Sequence, residues 1–185
     1  MKRIIVIALL CMSCLPAASQ RWMAGTNAAD WAYFGTVNAE ASVAVGRRVS
    51  VHASAKYNPW SWKKASGERI NQKQQTYTLG FRYWPWNVYS GWWMGAGARV
   101  GEYNRGGLIR SETEEGDAAG VDFYAGYTLM LHKRFNLEIG WGMWAGKKRY
   151  ISYDCPTCGH IIHDKEGSKA FLLPDNPTVN LVWIF

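Results

Sequence analysis

The sequence predicts an all-β fold, an eight-stranded antiparallel up-and-down barrel of the outer-membrane type. Three observations predict it. Segment after segment alternates apolar and polar residues with a period of two; short turns and long polar connections alternate along the chain; and the polar face pairs glycine with charges of both signs. The 185 residues are 48% hydrophobic and 19% charged, with 11 Trp, 10 Tyr and 6 Phe. That balance excludes a disordered chain, and the length suits one domain.

Lys2-Arg3, the apolar stretch Ile4 to Leu15 and the small residues Ala17-Ala18-Ser19 predict a secretory signal peptide over 1–19, leaving a barrel domain over 20–185. Removing the leader takes away Cys11 and Cys14, so that Cys155 and Cys158 remain. A less regular first strand runs from Trp22 to Ala28. Val37 to Val45 turns at Gly46-Arg47-Arg48 into Val49 to Asn58. Thr76 to Tyr83 turns at Pro85 and Asn87 into Trp92 to Val100. Val121 to Leu129 turns at His132-Lys133-Arg134 into Leu137 to Trp144, and Val179 to Phe185 ends the chain. Longer loops are expected over Asp30 to Gly35, Pro59 to Gln74, Asn104 to Ala118 and Gly146 to Asn176.

Alternation alone also fits a soluble lipocalin-like barrel, which turns its apolar face inward. The charges discriminate. The polar face carries Glu40, Asp122 and Glu138 with Lys56, Arg82 and Arg99, together with His52. Such balanced charges, set among Gly80, Gly95, Gly97, Gly126, Gly140 and Gly142, suit the narrow interior of an eight-stranded barrel, where ions must pair. Aromatics near strand ends, namely Trp60, Trp62, Trp84, Trp86, Trp92, Tyr103 and Trp144, are expected at lipid–water interfaces. The last strand, with Trp183 and the terminal Phe185, resembles the signal read by the barrel assembly machinery.

Local segments also point to a family. Tyr57-Asn58-Pro59-Trp60, Phe81-Arg82-Tyr83-Trp84, Gly101-Glu102-Tyr103-Asn104, Phe135-Asn136-Leu137-Glu138 and Tyr153-Asp154-Cys155-Pro156-Thr157-Cys158-Gly159 resemble, in order, the Bacteroidetes family of secreted proteins known as domain of unknown function 3575. The family's Gly-Pro-Thr before the final strand stands here as Asn176-Pro177-Thr178. The resemblance implies an outer-membrane-associated protein, often encoded near fimbrial components, with no catalytic residues to transfer.

The residues that could carry chemistry have plainer readings. His52 belongs with the interior charges, and His132 lies in a short turn. Glu114-Glu115 reads as a solvated acidic pair, while Lys63-Lys64 and Lys147-Lys148-Arg149 suit acidic lipid or a surface partner rather than nucleic acid. In the longest loop, Cys155 and Cys158 are expected to form a disulfide; zinc binding with His160 and His163, or a redox role, are the alternatives. The close spacing of Cys158 and His160 disfavours zinc. The expected protein is a non-enzymatic barrel in outer-membrane lipid whose loops bind or anchor a cell-surface or fimbrial protein. It needs no cofactor. The alternatives are a lipid-modifying barrel enzyme and a soluble periplasmic binding barrel.

Overall fold

Each alternating segment becomes a strand because one of its faces can be buried while the other is not. The computed structural model describes residues 21–63, 69–106, 112–154, 165–174 and 177–185. Its strands are β1 (Trp22–Asn27), β2 (Val37–Ala44), β3 (Val49–Asn58), β4 (Ser61–Lys63), β5 (Arg69–Tyr83), β6 (Gly91–Gly106), β7 (Glu112–His132), β8 (Phe135–Asp154), β9 (Lys165–Pro174) and β10 (Thr178–Ile184), with one short helix, α1 (Ala28–Ala32). Eight of them close an antiparallel barrel in the order β1-β2-β3-β5-β6-β7-β8-β10, and β10 returns to β1 with Met23 opposite Ile184 and Asn27 opposite Asn180. The polar face points in. Asn38 and Ser42 of β2, Ser50 and His52 of β3, Arg82 of β5 and Arg99 of β6 are buried, while Leu79, Phe81, Met94, Phe123 and Trp141 stand exposed on the outside.

Closure stops partway up the strands. β10 covers Phe135 to Gly140 of β8, and β9 takes over β8 from Met143 to Ser152, with no strand on its other side among the described residues. The sheet therefore continues past the closed belt as an extension built from β5 to β9, with β4 paired along the free edge of β5. This corrects the expectation of long loops over Pro59 to Gln74, Asn104 to Ala118 and Gly146 to Asn176, much of which is strand. Outside the belt neither face is consistently apolar, so alternation disappears from the sequence while backbone pairing persists.

The short-turn end is sealed by an apolar cluster of Met23, Trp84, Tyr89, Trp93, Val182 and Ile184. Trp84 is fully buried, and its indole donates to Ser50 Oγ at 3.1 Å. Gly91 ends the turn at φ +73, a left-handed conformation that favours glycine, with the Trp86 ring lying over it. Inside the belt the glycines make room for rings. A Cβ at Gly126 or Gly140 would meet Trp93, and one at Gly80 or Gly95 would meet Tyr124.

Three aromatics expected at the interfaces are inside instead. Trp84 lies in the sealing cluster, Trp144 packs edge-on against Phe171 with the Arg99 guanidinium 5.1 Å from its ring, and Tyr103 hydrogen-bonds Glu114. Each sits at an inward register position, continuing the faces of Arg82, Glu138 and Arg99. Trp60, Trp62, Trp86 and Trp92 are exposed.

Candidate functional site

The interior charges fall into three groups. In the first, Arg82 bridges two carboxylates, with Nη2 2.7 Å from Glu40 Oε1 and Nη1 3.1 Å from Glu138 Oε2, while its Cζ lies 4.6 Å from the Trp93 ring centre. Thr128 donates to Glu138 and Asn180 to Glu40. His52 Nε2 shares a hydrogen bond with the Tyr124 hydroxyl, and its Nδ1 lies 3.8 Å from Glu40. In the second, Arg99 Nε is 2.7 Å from Asp122 Oδ2 and 3.3 Å from Thr78 Oγ1. In the third, Lys56 Nζ is 2.9 Å from Asp30 Oδ2.

All seven residues that the sequence assigns to the interior therefore stand inside, but Lys56 pairs with none of the strand carboxylates. Its partner Asp30 was expected in a loop. Asn27 caps α1 by accepting from Ala29 N–H, and its Nδ2 donates to Asp30 at 3.0 Å, so the helix folds over the belt and buries Asp30 completely. The signal that could have found it is Asn27-x-x-Asp30, an N-cap residue followed three positions later by an acid.

These groups act as struts. The cavity they leave in the belt is about 60 Å³, room for a water or two but not for a substrate beside His52. Recognition chemistry has more space higher up, where a cavity of about 930 Å³ lies along the extended sheet. Its charged lining residues, Lys73, Glu102, Glu115, Asp117, Arg149 and Glu166, all occupy outward register positions.

Glu114 and Glu115, read from the sequence as one solvated pair, face opposite sides of β7. Glu115 receives Asn104 Nδ2 at 2.7 Å and the Tyr153 hydroxyl at 3.2 Å. Glu114 receives the Tyr103 hydroxyl and Lys148 Nζ, each at 2.6 Å. Burial, and after it the neighbouring Glu114, pushes the Tyr103 phenol above its ordinary value. Burial alone would raise Glu114, but the hydrogen bonds from Lys148 and Tyr103 outweigh it and hold the carboxyl below its ordinary value. Because the folded value is the depressed one, this pair stabilises the rim above the unfolded pKa and loses its effect as pH falls through the folded one. Lys148→Ala is expected to move the Glu114 titration midpoint upward, read from its side-chain carboxyl carbon shift by NMR. An unmoved midpoint would mean that the pair does not form in solution.

The expected signal peptide and the loop residues Cys155, Cys158, His160 and His163 lie outside the described residues. Among the described residues, no three of the His, Cys, Asp and Glu side chains come together in a way that could hold a metal.

A closed eight-stranded barrel, filled by ion pairs and prolonged into a polar sheet, defines the class. The chain belongs to the family described as protein of unknown function (DUF3575), whose model matches residues 5–185. It has no match among curated proteins or among solved structures.

Proposed function

We propose that the protein is a non-enzymatic outer-membrane barrel, delivered through a cleaved signal peptide, whose sheet extension binds or anchors a cell-surface partner such as a fimbrial or adhesin component. One observation carries the membrane reading, namely the outward apolar band above a filled polar interior. Along β7 the outward residues are Leu129, Tyr127, Ala125, Phe123, Val121 and Ala119, followed by Asp117 and Glu115. Ten residue steps at about 3.4 Å each, tilted by about 40°, give a height of about 26 Å, the thickness of an outer-membrane hydrocarbon band. A soluble protein exposing so much contiguous apolar surface would aggregate.

The family resemblance and the polar rim support the partner reading, and the small cavity around His52 supports a role without catalysis. The test is cell fractionation combined with a detergent gel. The unboiled protein is expected in the outer-membrane fraction with a mobility different from that of the boiled form, because a sheet whose backbone groups are paired resists detergent. Recovery in the soluble periplasm would replace this reading with the soluble barrel. If Trp183 and Phe185 are the assembly signal, Phe185→Asp should leave export intact but lower the folded outer-membrane population about tenfold or more, a loss of over 1.4 kcal/mol in apparent assembly free energy.

A further inference from the structure

We propose that the outer face of β6, β7 and β8 carries a binding site for a lipid headgroup that holds both a phosphate and a primary amine; the site rests on the membrane reading above. Glu102 of β6 stands directly opposite Asp117 of β7, and Asp117 stands directly opposite Arg149 of β8. Lys147 lies two residues below Arg149, opposite Ala119. All four side chains point outward, all are exposed, and all line one concavity of about 620 Å³.

Among the described residues, none of the four is joined to another side chain by a hydrogen bond or an ion pair. Asp117 faces the opposite charge of Arg149 on one side but Glu102 on the other, and two carboxylates facing each other across adjacent strands repel, so a cation is favoured at the Glu102 side of the row. Two unpaired cations beside them attract an anion. A headgroup with an ammonium at Glu102 and Asp117 and a phosphate at Lys147 and Arg149 answers both demands, whereas a purely anionic headgroup would satisfy the cations and offend the carboxylates.

The position fits a lipid rather than a dissolved zwitterion. The lower wall of the concavity is Tyr77, Val100 and Ala119, the upper edge of the outward apolar face. An acyl chain running down that face would leave its headgroup level with the four charges. Tyr77 is half exposed there, with its ring at the boundary where tyrosine is favoured.

The experiment uses the full chain, folded and reconstituted into phosphatidylcholine vesicles doped with phosphatidylethanolamine or phosphatidylglycerol. Lipid retained on release into mild detergent is counted by native mass spectrometry. Phosphatidylethanolamine should be retained over both other lipids by about fivefold, the size expected of one exposed charge pair. Lys147→Ala with Arg149→Ala should abolish that retention, and Glu102→Gln with Asp117→Asn should remove the preference over both phosphatidylglycerol and phosphatidylcholine, since only the carboxylates read the amine. All four positions are exposed, and heat-modifiable mobility checks that the variants still fold. Equal retention of the three lipids, or unchanged retention in either double variant, overturns the site. So does phosphatidylglycerol binding that requires Mg²⁺, which would make the carboxylates metal ligands. Failure of the protein to float with vesicles defeats the membrane reading and the site together, whereas insertion without lipid preference defeats the site alone.

Discussion

Arg82→Ala is expected to destabilise the barrel by about 3–5 kcal/mol, because removing one member of a buried ion pair leaves its partner charged and unpaired. Here one guanidinium serves two carboxylates, Glu40 at 2.7 Å and Glu138 at 3.1 Å, and Glu138 is fully buried. The substitution also removes the cation stacked 4.6 Å from the Trp93 ring centre. Urea unfolding of the protein in lipid vesicles measures the loss. The charge argument has its own control, since adding Glu40→Gln and Glu138→Gln to the alanine variant should recover much of the stability by removing the stranded charges. A loss below about 1 kcal/mol would mean that water reaches the carboxylates, and that the belt is a wet channel rather than a packed core.

The belt was legible because burial there has one sign per face. From Val37 to Asn58 every second residue meets the interior, so His52 and Lys56 could be placed inside by counting, and so could Arg82, Arg99, Asp122 and Glu138 in their own strands. The same count places Trp84 two residues beyond Arg82, Tyr103 four beyond Arg99 and Trp144 six beyond Glu138, all inward. Parity along the strand, not nearness to its end, decides which way these three rings point. The extension was illegible for a different reason. Gln72 to Gln75 and Thr113 to Asp117 pair as regular strands, yet polar side chains occupy both of their faces, so no period marks them. Asp30 was hidden differently again, in a five-residue helix too short to show a helical period.

The sharpest separation between sequence and structure falls on two tryptophans two residues apart. Trp84 and Trp86 look equivalent as interface aromatics, but Trp84 is 0% exposed and Trp86 is 59% exposed. Trp84 fills the sealed end of the belt, with the Tyr89 ring 5.7 Å and the Trp93 ring 6.2 Å from its own. Trp84→Ala is therefore expected to cost about 3–5 kcal/mol, from lost burial and from a cavity that a closed sheet can only partly collapse. Ser50 Oγ would also lose the indole that donates to it, in a position where Ser50 itself is fully buried. Trp86→Ala removes a ring from the outer surface and should cost about 1 kcal/mol or less. Parallel urea titrations of the two variants in vesicles give the comparison directly. Equal losses would place both rings in the same environment and would remove the apolar seal from the account of how this end of the barrel is closed.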